Sequence, residues 1–147
     1  VEDTLSLVRW EADQQQVKLT TALEPGLRVL ASDGELRMVA LNLIQNAFHA
    51  MPSGGQLVLR SRRVAPLIEI CVSDTGVGID PERRLRIFDP FFSRRADGVQ
   101  GTGLGLSIVR AIIETYGGTV EVQSTVGQGS EFKVLLPDAD QSDLGDA

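Results

Sequence analysis

Two pairs of predicted strands are joined by turns too short for a helical crossover, and this restricts the fold more than any other feature. The pairs are residues 56–64 and 67–73 around Ala65-Pro66, and residues 119–123 and 130–136 around Gly127-Gln128-Gly129. Each pair must form an antiparallel hairpin, because parallel strands need a crossover of a dozen residues or more. Helical patterns interrupt the strands, so we predict an α/β fold with a mixed sheet and helices layered on it.

The other elements are predicted from periodicity and from residues that begin or end helices. In chain order they are a helix over 1–15, a strand over 17–23, a short strand at Val29-Leu30, a helix from Ser32 or Asp33 to Met51, a short helix from Asp80-Pro81 to Ile87, and a helix from about Gly103 to Tyr116. Residues 88–103 form the single long irregular segment of this prediction.

Composition excludes several classes of protein. The 147 residues fit one domain with one core, and the net charge of −6 disfavours a broad basic face for duplex nucleic acid. Neither a membrane-spanning apolar run nor a signal peptide is found. Cys71 alone cannot form an intrachain disulfide or a cysteine-based zinc motif, and we expect it to be buried in a strand. We expect a domain over residues 1–137 and a disordered acidic tail over 138–147.

Polar residues form a second stripe on the predicted helix that ends at Met51. Asn42, Asn46 and His49 lie roughly a third of a turn from the apolar stripe. Helical periodicity alone favours the interpretation of this stripe as the solvent-exposed flank of an amphipathic helix. Two asparagines at this spacing are nevertheless unusual, because asparagine is a mediocre helix former. An amide oxygen suits Mg²⁺ that is held mainly by phosphates. His49 is a poor transition-metal candidate but can donate a hydrogen bond to an anion.

Two glycine-containing segments fit either turns or anion binding. Asp74-Thr75-Gly76-Val77-Gly78-Ile79 follows a predicted strand, and residues 101–107 (GTGLGLS) lead into a helix. Neither segment is a dinucleotide-binding motif or a P-loop. Glycines do allow backbone N–H groups to approach an anion, and a helix N-terminus favours negative charge. Between them, FDPFFSRR begins at Phe88 and is interpreted either as a loop whose rings plug the core or as a lid.

Taken in order, these motifs resemble the catalytic, ATP-binding domain of two-component sensor histidine kinases. Asn42-Leu-Ile-Gln-Asn46-Ala resembles the N box, and Asp74-Thr-Gly76-Val-Gly78 resembles the first glycine box. Phe88-Asp-Pro-Phe-Phe resembles the F box, and residues 101–107 resemble the second glycine box. FDPFFS and NAFHAM are most similar to the nitrogen-regulation and dicarboxylate-sensing kinases. The resemblance spans residues 1–137 and implies a two-layer α/β sandwich of the Bergerat type, with a mainly antiparallel sheet, helices on one face and a mobile ATP lid.

The resemblance also implies a role for each matching residue. Asp74 would accept a hydrogen bond from the exocyclic amine of adenine, and Gly76 and Gly78 would let the chain pass close to the base. Asn46 would bind Mg²⁺, with Asn42 beside it and His49 near the phosphates. The lid and the helix N-terminus would wrap the triphosphate through Gly101, Thr102, Gly103, Leu104 and Gly105, and Arg94 or Arg95 would reach the γ-phosphate.

The implied activity is transfer of the γ-phosphate of ATP to a histidine. His49 is the only histidine and belongs to the N-box helix, so the acceptor is expected on a dimerisation domain of the same protein. Val1 in place of an initiator methionine agrees with a piece of a longer protein. A response regulator would act downstream, in the cytoplasm, without nucleic acid or direct membrane contact by this domain. An ATP hydrolase and a non-catalytic nucleotide-binding module are the alternatives.

Overall fold

The structure, a computed structural model, describes residues 2–89 and 105–139, with side chains from residue 5 onward. Its helices and strands alternate along the chain. The helices are α1 (Glu2–Gln14), α2 (Asp33–His49), α3 (Pro81–Arg84) and α4 (Gly105–Thr115). The strands are β1 (Val17–Leu23), β2 (Gly55–Val64), β3 (Leu67–Asp74), β4 (Thr119–Thr125) and β5 (Gly129–Pro137).

The strands form one mixed sheet in the order β1-β2-β3-β5-β4. Strand β1 pairs with β2 in parallel, and the other neighbouring strands are antiparallel. Both short connections are therefore antiparallel hairpins, which confirms the prediction that restricted the fold most.

One face of the sheet packs against α1, α2 and α4. Leu59, Val72, Phe132 and Val122 lie side by side on this face, one from each of four neighbouring strands. They belong to the same core as Val39 and Leu43 of α2 and Val109 and Ile113 of α4. Alternate residues of a strand point to opposite faces of the sheet. Because the apolar residues lie on one face, the helices cover that face.

The opposite face of the sheet carries paired charges. Arg62 lies 3.1 Å from Glu69, and Arg60 lies 3.3 Å from Glu131. Cys71 is buried beneath this layer, with its Sγ 3.8 Å from a guanidinium nitrogen of Arg60. The prediction of a buried strand cysteine is thus confirmed, and burial raises the pKa of the thiol.

The predicted strand at Val29-Leu30 is wrong, because these residues have no strand conformation. Val29 packs against the core, whereas Leu30 is exposed. The segment is held instead by the bond from the Ala139 N–H to the Arg28 carbonyl, at 3.0 Å. Helix α3 also ends at Arg84 rather than at Ile87.

Asp138 and Ala139, which the sequence assigns to the acidic tail, are part of the fold. Asp138 is fully buried and accepts a hydrogen bond from Arg63 Nε at 2.6 Å. Its backbone N–H donates to the Pro66 carbonyl at 3.1 Å. Residues 140–147 lie outside the described part of the chain. Among the described helices, none has the length and apolar composition needed to cross a bilayer.

Candidate functional site

Helix α2 carries the predicted asparagine stripe. The helix is capped by Ser32, whose hydroxyl oxygen accepts the Glu35 N–H at 3.4 Å. Asn42, Asn46 and Ala50 follow at intervals of four residues, so they lie along one side of the helix and of its C-terminal cap. The apolar face of α2 packs against the sheet, so the asparagine stripe lies on the side of the helix next to that buried face.

Asn42 lies where α2 meets the beginning of α4. Its side-chain N–H donates to the Met38 carbonyl at 2.8 Å. Its Oδ1 faces Gly105, where an added Cβ would lie 3.0 Å from it. At the opposite ends of the two helices, the Tyr116 hydroxyl donates to Glu35 at 2.5 Å. The helices are thus antiparallel, and Asn42 approaches the N-terminus of α4.

Asp74 is a buried carboxylate at the end of β3, with 5% of its surface exposed. Its Oδ1 accepts the Gly76 N–H at 2.8 Å. Burial raises the pKa of Asp74, and hydrogen bonds from the backbone N–H groups of Gly76 and Ser130 offset part of that rise. When ionised, this group can only accept hydrogen bonds, so it favours a ligand that presents an N–H donor.

The segment after Asp74 is packed onto the end of α2. The Val77 N–H donates to the Ala50 carbonyl at 2.9 Å, and a Cβ at position 76 would overlap the same carbonyl oxygen. On its other side the segment contacts the β4–β5 turn. Gly78 has a φ of +76° and leaves no room for a side chain against the Thr125 carbonyl. Both glycines are therefore required for close backbone packing.

Asn46 lies between these two contacts. Asn42, which contacts Gly105, is one turn before it, and Ala50, which contacts Gly76, is one turn after it. Side chains four residues apart on a helix are about 5–6 Å apart. The half-buried side chain of Asn46 makes no hydrogen bond to another residue in the described ranges. Its amide oxygen is therefore available to a ligand that lies between the Asp74 segment and α4.

The remaining predicted site residues divide into two groups. His49 is the last residue of α2, half-buried and on the same side of the helix as Asn46. The second group lies outside the described residues and comprises Arg94, Arg95, Gly101, Thr102, Gly103 and Leu104. The lid prediction falls on these residues as well.

Phe88, the first residue of the predicted F box, packs into the fold. Its ring makes an edge-to-face contact with Phe132, with the centroids 6.4 Å apart. The guanidinium of Arg110 lies 5.7 Å from the centroid of the same ring. Phe88 thus packs against the core, as expected both for a ring that plugs the core and for the apolar anchor of a lid.

Ser124 and Ser130 border the site and have no counterpart in the sequence-based set. Ser130 is paired with Asp74 across β5 and β3, and Ser124 is paired with Ser130 across β4 and β5. Their hydroxyl oxygens are 2.8 Å apart. Motif spacing could not identify these serines, because their contacts depend on strand register. The only hint in the sequence is the Gly127-Gln128-Gly129 turn, which predicts that the strands carrying them pair with each other.

The described residues hold no group of three or more His, Cys, Asp or Glu side chains suited to a metal ion. The amide oxygen of Asn46 is a hard, neutral ligand that fits Mg²⁺ held mainly by phosphate oxygens.

Residues 32–140 match the sequence profile of the "Histidine kinase-, DNA gyrase B-, and HSP90-like ATPase" family. The chain belongs to this family. Among curated relatives of this ATPase family, the histidine protein kinase DivJ of Caulobacter vibrioides is 39% identical over 142 residues, which cover 93% of this chain and 24% of DivJ. The sensor histidine kinase ZraS of Klebsiella oxytoca is 38% identical, over 91% of this chain and 29% of ZraS. The chain thus spans about a quarter of the length of these relatives.

Solved structures agree with this membership of the ATPase family. The mycobacterial sensor histidine kinase MprB superposes with a TM-score of 0.81 at 28% identity, over 93% of this chain and 92% of that one. Full-length ShkA in complex with AMPPNP gives a TM-score of 0.81 at 32% identity, over 94% of this chain and 29% of ShkA. The fold is that of the catalytic ATPase domain of histidine kinases, which confirms the resemblance and the predicted α/β sandwich.

Proposed function

We propose that this domain binds ATP with Mg²⁺ and presents the γ-phosphate to a histidine on a dimerisation domain outside this sequence. One observation carries the proposal. A buried acceptor, Asp74, and an available amide oxygen, Asn46, lie on either side of the same contact between α2 and the Gly76 segment.

Asp74 serves the purine end of the nucleotide. The N–H groups of Gly76 and Ser130 hold the carboxylate in place. The ionised group accepts a hydrogen bond from the exocyclic amine of adenine, whereas guanine presents a carbonyl oxygen at that position. Gly76 and Gly78 let the segment after Asp74 pack directly against the Ala50 and Thr125 carbonyls, and this packing fixes the backbone beside the proposed base site.

Asn46, Asn42, His49 and the beginning of α4 serve the phosphate end. The N-terminus of α4 favours negative charge, and glycine at 105 keeps the surface next to Asn42 open. Asn46 would hold Mg²⁺, which neutralises phosphate charge when bound. Arg94 or Arg95, with residues 101–104, would complete the phosphate contacts in this proposal.

The acceptor imidazole comes from elsewhere in the protein. His49 is the only histidine in the chain and lies within α2, so it does not serve as the phosphorylated residue. The proposed partners are the dimerisation domain of the same protein and, downstream, a response regulator. We place this reaction in the cytoplasm, where ATP is available.

Asn42 argues against an ATP hydrolase. The described site has an amide at this position, and its N–H is already bonded to the Met38 carbonyl. An amide cannot act as a general base for water. Steady hydrolysis that is lost when Asn42 is replaced would reverse this preference.

The test is phosphotransfer in trans. This domain is mixed with a histidine-bearing dimerisation domain of a related kinase and γ-labelled ATP with Mg²⁺, and acid-labile label on the acceptor is measured. We expect labelling with the intact acceptor domain and none after its histidine is replaced by alanine. Binding of ATP without labelling by any acceptor would instead support a non-catalytic nucleotide-binding module.

A further inference from the structure

Three polar side chains form one row across neighbouring strands on the helix-facing side of the sheet. Asp74 on β3 is paired with Ser130 on β5, which is paired with Ser124 on β4. The corresponding residues of the next row are Val72, Phe132 and Val122, all apolar. The polar row thus lies at the end of the core that borders the Asp74–Ile79 segment.

The Ser124 hydroxyl joins three groups by hydrogen bonds. It accepts the Ile79 N–H at 2.7 Å and lies 3.0 Å from the Gly129 carbonyl and 2.8 Å from the Ser130 hydroxyl. The middle of the Asp74–Ile79 segment is anchored by a backbone atom, the Ala50 carbonyl that accepts the Val77 N–H. Ser124 anchors the far end of the segment with a side chain.

Counting protons assigns a direction to this network. The Gly129 carbonyl can only accept, so its bond takes the one proton of the Ser124 hydroxyl. The bond between the two serines must then use the proton of Ser130. Ser130 thus donates towards Ser124, which leaves its oxygen as an acceptor next to the register position of Asp74.

We propose that Ser124 is a positioning residue for nucleotide selectivity: it fixes the Asp74–Ile79 segment and directs the Ser130 hydroxyl, so that the site presents acceptors to a purine. The inference rests on the proposed nucleotide-binding function. Ser124 itself does not contact the ligand. It acts through Ile79 and Ser130. Without the Ser124 hydroxyl, the segment loses its anchor at Ile79 and the Ser130 hydroxyl proton loses its acceptor.

The test compares ATP with purine riboside triphosphate, which lacks the exocyclic amine. Affinities are measured by competition against a fluorescent ATP analogue. Wild type should prefer ATP, and Ser124→Ala should reduce that preference about fivefold, as expected for one hydrogen bond. Ser124→Thr keeps the hydroxyl and should restore the preference. Ser73→Ala is the matched control, because Ser73 lies next to Asp74 but faces the opposite side of the sheet.

A structural role alone gives a different result. If Ser124→Ala merely weakened the fold, both ligands would lose affinity equally and their ratio would stay at the wild-type value, which would overturn the proposal. Should Ser124→Ala not fold, Ser124→Thr and Ser124→Val offer a pair of equal shape that differs in the hydroxyl.

A failure of the proposed function is recognised separately. If wild type binds neither ligand, nucleotide binding is refuted and the selectivity claim with it. Amide hydrogen exchange at Ile79 needs no ligand. It should be faster in Ser124→Ala than in wild type, and an unchanged rate would contradict the anchoring step itself.

Discussion

The Val77 N–H donates to the Ala50 carbonyl at 2.9 Å, and this bond ties the segment after Asp74 to the end of the helix that carries Asn46. The carboxylate and the amide belong to elements about 30 residues apart in sequence. The bond, together with the close approach of Gly76 to the same carbonyl, makes them two sides of one site.

The first prediction concerns Asp74→Asn. The asparagine places an N–H₂ donor where the carboxylate offers only acceptors, so we expect the affinity for ATP to fall about 100-fold. Asp80→Asn is the matched control. It removes the same charge nearby, while asparagine can still cap α3 through the Arg83 N–H. Calorimetric titration measures both, and equal losses in the two variants would contradict the assigned role.

The same carboxylate predicts a pH dependence. Burial raises the pKa of Asp74, so ATP affinity should fall on acidification while ordinary aspartates are still ionised. Without ligand, the effect of acidification on folding stability is the opposite: protonation of Asp74 favours the folded state. The native state holds this proton more tightly than the unfolded chain, so the contribution of Asp74 to stability falls as pH rises from the unfolded to the raised native pKa. Titrations and urea unfolding over this pH range should show both trends in the difference between wild type and Asp74→Asn, and the absence of a pH-dependent difference would contradict them.

A further prediction separates the metal from the nucleotide. Asn46→Ala should lower ATP affinity about tenfold with Mg²⁺ present and change it little in EDTA, since one metal ligand is lost. Gln45→Ala is the control on the same helix, because Gln45 bonds to Glu11 of α1 at 2.9 Å. Equal losses with and without Mg²⁺ would show that Asn46 does not bind the metal.

Packing of the Gly76 segment predicts a difference between two glycines. Gly76→Ala should destabilise the domain by about 2 kcal/mol or more, because its Cβ would overlap the Ala50 carbonyl. Gly34→Ala, in the first turn of α2, meets nothing closer than 3.8 Å and should be neutral or stabilising by up to about 1 kcal/mol. Urea unfolding compares them. The packing described here is incorrect if Gly76→Ala is as stable as wild type.

The chain end predicts a difference between two neighbouring arginines. Arg63→Met removes an ion-pair partner of the fully buried Asp138 and should cost about 3 kcal/mol of stability. Arg62→Met removes a pair whose arginine is 64% exposed and should cost less than about 1 kcal/mol. Thermal unfolding checks the order. Equal costs would mean that Asp138 contributes little to the fold.

Local patterns in the sequence predict much of this structure, but they do not predict contacts between residues that are far apart in the chain. The hairpins, the asparagine stripe of α2 and the position of Asp74 at a strand end follow from short-range spacing. Ser124 and Ser130 could not be predicted as part of the site, because they reach Asp74 through the register of β4, β5 and β3.

Asp138 was misassigned for a related reason. An acidic run near a chain end is usually solvated, but this residue pairs with Arg63, 75 positions away. The short strand predicted at Val29-Leu30 failed because a β-favouring dipeptide does not specify a strand partner.

The central claim is that Asp74, Asn46 and the beginning of α4 form one nucleotide site. It is tested most directly by titrating the ¹⁵N-labelled domain with Mg²⁺ and AMPPNP. We predict that the backbone signals of Gly76 and Gly105 and the side-chain amide signals of Asn46 shift along one common saturation curve. No shifts at millimolar nucleotide, or shifts confined to residues remote from these three, would contradict the account.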